Sequence, residues 1–108
     1  MTKSIESQIQ SLKLEAVSYK KLEDYSKAES NILKALELKP EDNGLNHELA
    51  KIYFKREKYP DCLELLLTLK DKIKRRQILF KDIAMCYYKM NKMEKSLEEL
   101  PEATLVLD

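Results

Sequence analysis

A pattern of residue types recurs every 34 positions along this chain, and no other feature restricts its fold as strongly. Alanines, tyrosines and small residues each form a series at this spacing: Ala16, Ala50 and Ala84; Tyr19, Tyr53 and Tyr87; Ala28, Cys62 and Ser96. The period divides the chain into copies 9–42, 43–76 and 77–108 without a gap. Because 108 residues have room for one modest core, residues 1–108 are expected to form a single repeat domain.

The apolar residues inside each copy keep the spacing of an α-helix. Leu12, Ala16 and Tyr19 stand at i, i+4 and i+7, and a second stripe of this kind follows in the same copy. Short polar stretches separate the two stripes (LED at 22–24, REK at 56–58 and MNK at 90–92), and they suit tight turns between helices. With one glycine and 36% charged residues, the composition is also typical of helices with short connections. The sequence therefore predicts an all-α fold of about six helices, two in each copy.

The residues that recur at equivalent positions of the three copies, here called columns, resemble the tetratricopeptide repeat. This is a 34-residue family pattern that runs W-x2-L-G-x2-Y, then A-x3-F, then P. The residues that carry the resemblance are Leu12, Ala16, Tyr19, Ala28, Ile32 and Pro40 in the first copy, Leu49, Ala50, Tyr53, Cys62 and Leu66 in the second, and Phe80, Ile83, Ala84, Tyr87, Ser96 and Leu100 in the third. Glu15 departs from the pattern, as does Asn46 at the tryptophan place. The resemblance implies a right-handed superhelical stack of antiparallel helix pairs, an α-solenoid with a concave side.

Small side chains allow two helices to cross closely, and bulky neighbours fill the space around the crossing. The predicted packing residues between helices are Ala16, Tyr19, Ala28, Ala50, Tyr53, Cys62, Ala84, Tyr87 and Ser96. The methionine-, cysteine- and tyrosine-rich stretch AMCYYKMNKM at 84–93 falls in these same columns, with Met93 in place of a tyrosine, so it predicts packing and no soft-metal site.

The C-terminal end of the pattern is less regular. Pro101 falls inside the last predicted helix, where proline costs about 3 kcal/mol, so this helix should kink or end there. Repeat arrays usually end in a cap with a polar outer face, and none follows ATLVLD at 103–108. The apolar surface of the third copy is therefore expected to be exposed, to self-associate, or to be covered by further sequence.

Catalysis and cofactor binding find no support in the sequence, and no cofactor or metal is predicted. His47 is the only histidine and belongs to no recognisable catalytic motif, while a single glycine cannot build a phosphate-binding loop. Cys62 and Cys86 lie far apart without a C-x-x-C spacing, which favours two reduced, packed thiols.

Charge and hydropathy limit the class of partner and the location. The net charge of +1 gives no overall attraction to nucleic acid or to membranes, and no apolar run is long enough to span a bilayer. The chain is therefore predicted to be cytoplasmic, without nucleic acid or membrane partners. The basic run KDKIKRR at 70–76 indicates a solvated helix end, with a nuclear-localisation or phosphate-binding patch as the alternative.

The concave side that the resemblance implies would be lined by the first helix of each pair. At about 100° per residue, one face of these helices lies roughly a third of a turn from the packing stripe. It consists of Lys13, Val17, Lys20 and Lys21 in the first copy, His47, Lys51, Phe54 and Lys55 in the second, and Lys81, Met85, Tyr88 and Lys89 in the third. We call this set the predicted groove. Its lysines, interspersed with apolar side chains, favour an acidic peptide or amphipathic helix with bulky anchors. The alternative is that the lysines only keep the surface soluble.

Some proteins with similar repeats bind the C-terminal carboxylate of heat-shock chaperones through a clamp of Lys, Asn and Arg. Here Lys13 stands at the first clamp place, but Val17, Glu48, Ile78 and Asp82 occupy the others. Because Glu48 and Asp82 would repel a carboxylate, this partner is disfavoured. The predicted function is a non-catalytic adaptor or scaffold that binds a protein or peptide. The alternative is an oligomerisation module that stacks through its third copy.

Overall fold

The computed structural model describes residues 4–94. This part of the chain consists of five helices and contains no strand: α1 (Ile5–Lys21), α2 (Tyr25–Leu38), α3 (Asn43–Lys55), α4 (Tyr59–Lys70) and α5 (Gln77–Glu94). The all-α prediction is confirmed. The predicted sixth helix would follow the turn at 90–92, so all but its first residues lie outside the described part, as does Ser96.

The helix starts follow the 34-residue period. The second and third copies begin with the first residues of α3 and α5, and α2 and α4 begin at residues 34 apart, whereas α1 starts four residues before the first copy. Three helices begin with a side-chain cap, in which Ser4, Asp24 or Asp42 accepts a hydrogen bond from the backbone N–H three residues later. The first turn of α4 instead contains Pro60, which is suited to a position where no N–H partner is needed.

The turn between α1 and α2 recurs between α3 and α4. In both, a glutamate takes left-handed backbone angles, with φ of 61° at Glu23 and at Glu57. The N–H of the next residue then donates to a carbonyl five residues back, over 2.8 Å to Tyr19 and 2.8 Å to Tyr53. This is the Schellman arrangement that ends a helix. It folds α1 with α2, and α3 with α4, into hairpins.

The third predicted turn, MNK at 90–92, is wrong. The structure continues α5 through these residues to Glu94. Each earlier copy has one signal for the start of the next helix, the capping Asp24 or Pro60, whereas the third copy has neither, because Lys92 and Glu94 stand at those places. Of residues 90–94 only Asn91 is a weak helix former, so the helix can continue through them.

Each helix packs mainly against its neighbours in chain order, and two apolar clusters result. The first joins α1, α2 and α3 through Ile9, Ala16, Ala28, Ile32, Ala35, Leu45, Leu49 and Ile52. The second joins α3, α4 and α5 through Ala50, Cys62, Leu66, Leu69, Leu79, Ile83 and Cys86. Because α3 contributes to both clusters, it links the two hairpins and α5 into one packed unit.

The predicted packing residues follow the core closely in the first two copies. Ala16, Ala28, Ala50 and Cys62 are buried, and the tyrosines at 19 and 53 are half-buried against the core.

In α5 the predicted packing residues agree less well with the buried ones. Tyr87 is 39% exposed, and the buried stripe runs one residue earlier, through Leu79, Ile83 and Cys86. That stripe packs against the preceding helices. The side of Ala84 and Tyr87 would meet the predicted sixth helix, so their packing role stays a prediction. No helix within residues 4–94 is long and apolar enough to cross a membrane.

Candidate functional site

A small pocket opens between α3 and α5, with α4 beneath it and the end of α1 beside it. Its volume is about 250 Å³. The apolar side chains that line the pocket are buried Ala50, Cys62 and Leu66, together with Phe54 of α3 and Met85 of α5. Clefts that hold drug-sized ligands measure about 300–1,000 Å³, so this one suits a single bulky side chain better than a cofactor.

Charged side chains line the same pocket. Lys20 reaches it from α1, Lys51 and Lys55 from α3, and Asp82 from α5. Three cations therefore stand against one carboxylate around an apolar interior. Such a border attracts acidic groups and leaves the interior for an apolar one.

Two of these cations, Lys20 and Lys51, already pair with the carboxylate of Glu48. Lys20 Nζ donates to Glu48 Oε1 over 2.5 Å, which joins α1 to α3, and Lys51 Nζ lies 3.9 Å from the other carboxylate oxygen. Partial burial pushes the pKa of Glu48 upward, but the hydrogen bond from Lys20 and the charges of both lysines outweigh it and hold that pKa below its usual range. Lys55 makes no ion pair with any side chain of residues 4–91, so its charge is available to a ligand.

Five members of the predicted groove meet at the pocket: Lys20, Lys51, Phe54, Lys55 and Met85. The other seven do not line it. Lys21, Lys81, Val17 and Tyr88 are exposed, and Lys13, His47 and Lys89 are half-buried. The pocket therefore brings together fewer than half of the predicted groove residues, and the rest of the groove stays a prediction.

His47 lies at that junction on the side of Asp82. Its Nε2 is buried, lies 3.6 Å from Asp82 Oδ2, and has no hydrogen-bond partner among the described residues. The contact is an ion pair only when the imidazole is protonated. The contact of Asp82 with His47 is therefore long and depends on protonation of the imidazole.

Sequence reasoning did not foresee that the two cysteines meet. Their Sγ atoms lie 3.3 Å apart across α4 and α5, both buried and both free thiols. The hydrogen bond with Cys86 and burial together raise the pKa of the Cys62 thiol. The signal for this contact was the register, because Cys86 shares a column with Ile52, a core residue. Among residues 4–94, no three His, Cys, Asp or Glu side chains converge as metal ligands would.

No protein-family model matches this chain, and no curated protein matches it. Residues 4–94 are an all-α unit whose helices pack in chain order, with a small apolar pocket between α3 and α5 that lysines border.

Proposed function

We propose that this chain is a non-catalytic protein-interaction module, a stack of helix pairs of the tetratricopeptide kind, that binds a peptide or an amphipathic helix of another protein. The observation that carries the proposal is the pocket between α3 and α5. It combines an apolar interior with cationic side chains, and five residues of the predicted groove line it.

The size and charge of the pocket define what the bound segment must offer. One bulky apolar side chain of the partner would occupy the space between Phe54 and Met85, and acidic residues beside it would face Lys51 and Lys55. Apolar anchors in well-packed pockets supply most of the energy of such interfaces, while charges at the border contribute specificity. A chain-terminal carboxylate stays disfavoured as the ligand, because the charge of Lys20 is already engaged by Glu48.

The test is a selection of random displayed peptides on the immobilised protein, followed by affinity measurements on single peptides. Lys55→Glu should weaken selected peptides about tenfold by reversing an unpaired charge at the pocket. The matched control is Lys74→Glu, an equally drastic change at an exposed lysine away from the pocket, and it should leave the affinity unchanged. Equal affinities of the wild type and both variants would contradict binding at this pocket.

Self-association is the second candidate, because α5 exposes apolar side chains on its other sides. Ile78 is 50% and Phe80 49% exposed. If this surface joins copies of the chain, the mass measured by analytical ultracentrifugation should rise with concentration, and Phe80→Glu should abolish the rise. A constant monomer mass would exclude this candidate and leave the peptide-binding proposal intact.

A further inference from the structure

The two junctions between neighbouring copies differ at equivalent positions. At the junction of α1 and α3, Lys20 pairs with Glu48. The residues 34 positions later are Phe54 in place of Lys20 and Asp82 in place of Glu48, at the junction of α3 and α5. The lysine is replaced by an aromatic ring and the carboxylate is kept.

Lys51, the second cation beside Glu48, also has no equivalent at the junction of α3 and α5. Lys51 lies three residues after Glu48 and 3.9 Å from it, whereas the equivalent of Lys51 beside Asp82 is Met85. The same two replacements leave apolar side chains lining the pocket. They also leave Asp82 without a lysine among the side chains of residues 4–91, where its only ion-pair contact is His47, at 3.6 Å.

We propose that the bound segment itself supplies the missing cation, a lysine or arginine next to its apolar anchor, which pairs with Asp82. This inference rests on the proposed function and specifies the chemistry of the partner at that site. The carboxylate of Asp82 is 42% exposed and lines the pocket, so a bound side chain can reach it.

The surrounding charges indicate a segment of mixed charge. The charged and titratable groups around Asp82 are Lys20, Lys51 and Lys55 across the pocket, His47 beside it, and the buried thiols of Cys62 and Cys86 beneath it. Lys20 is held by Glu48, and Lys55 is free to attract an acidic residue of the segment. A segment with an acidic residue on the α3 side of its anchor and a cation on the α5 side would pair with both Lys55 and Asp82. A purely acidic segment would instead place a carboxylate against Asp82.

The experiment uses peptides selected from the random library on the wild-type chain. We expect them to carry an apolar residue with an acidic residue on one side and Lys or Arg on the other. Replacing that cation by norleucine should weaken binding to the wild type about tenfold, but should have little effect on binding to Asp82→Asn. Asp71→Asn, at an exposed aspartate far from the pocket, is the matched control and should respond like the wild type.

A second variant places a lysine of the chain itself beside Asp82, in the role proposed for the cation of the peptide. Met85→Lys changes an exposed side chain and recreates beside Asp82 the arrangement of Lys51 beside Glu48. It should remove the preference for a cationic peptide as Asp82→Asn does.

Three results would overturn the inference. If the selected peptides bind through the pocket but lack a cation, or if norleucine weakens binding equally to the wild type and to Asp82→Asn, the cation does not pair with Asp82 and the proposed function stands alone. If no selected peptide responds to Lys55→Glu, both the inference and the proposed function fail.

Discussion

At the scale of single residues, a departure from the repeat pattern is compensated by a polar neighbour. Glu15 stands where the pattern expects leucine, and its carboxylate accepts a hydrogen bond of 2.8 Å from the side-chain amide of buried Asn31. The equivalent residues of the second copy are Leu49 and Leu65, both apolar. A polar pair in one copy thus takes the place of an apolar pair in the next, because a buried amide is tolerated when it is hydrogen-bonded.

The left-handed glutamates are a second residue-scale feature and carry a prediction. A side chain at positive φ costs about 1–2 kcal/mol, and glycine avoids most of this cost. Glu57→Gly should therefore raise the free energy of unfolding by about 1 kcal/mol, measured by urea denaturation.

Glu64→Gly is the matched control, because Glu64 is exposed inside α4, where glycine should lower stability by about 1 kcal/mol. A loss of stability in both variants would show that Glu57 is not strained.

At the scale of helices, the ion pair between α1 and α3 predicts a pH dependence. The folded chain holds the pKa of Glu48 below the ordinary glutamate value of 4.5, so the ionised form is favoured by folding. This contribution is fully present above that value, and it is lost as the pH falls through the lower pKa of the folded state. Below pH 4.5 the wild type should therefore lose more stability than Glu48→Gln, as followed by thermal unfolding across a pH series.

Removal of the other partner is the control for this prediction. Lys20→Gln abolishes the hydrogen bond that lowers the pKa of Glu48, so it should flatten the same part of the curve. The same acid dependence in the wild type and both variants would mean that the pair does not link α1 to α3 in solution.

At the scale of the whole molecule, α3 joins the two apolar clusters and should make residues 4–94 unfold as one unit. Ile52→Ala in the first cluster and Leu66→Ala in the second each remove a fully buried side chain, which costs about 2–5 kcal/mol. Both should shift the same transition, seen alike by tyrosine fluorescence and by circular dichroism.

Leu33→Ala is the matched control for this comparison. Leu33 is an exposed leucine of α2, so its removal should change stability by less than about 0.5 kcal/mol. Two separate transitions in either core variant would instead show that the hairpins unfold independently.

Much of the helical architecture could be read from the sequence, because helix formation and helix ends depend on local signals. Spacing of apolar residues predicted the helix pairs, and the columns of small residues predicted Ala16, Ala28, Ala50 and Cys62 as packing positions, all of which are buried. The same reasoning was wrong at 90–92, where a polar stretch was taken as a turn although its capping signals were missing.

The candidate site was only partly predictable. The sequence indicated a basic face with apolar side chains on the first helix of each copy. It could not show that this face becomes a pocket only at the junction of α3 and α5, or that Lys20 is neutralised there by Glu48. Nor could it show that Cys62 and Cys86 lie 3.3 Å apart. Local spacing decides which residues share a face of one helix. The approach of side chains on different helices depends on how those helices cross, and only the packed structure decides that.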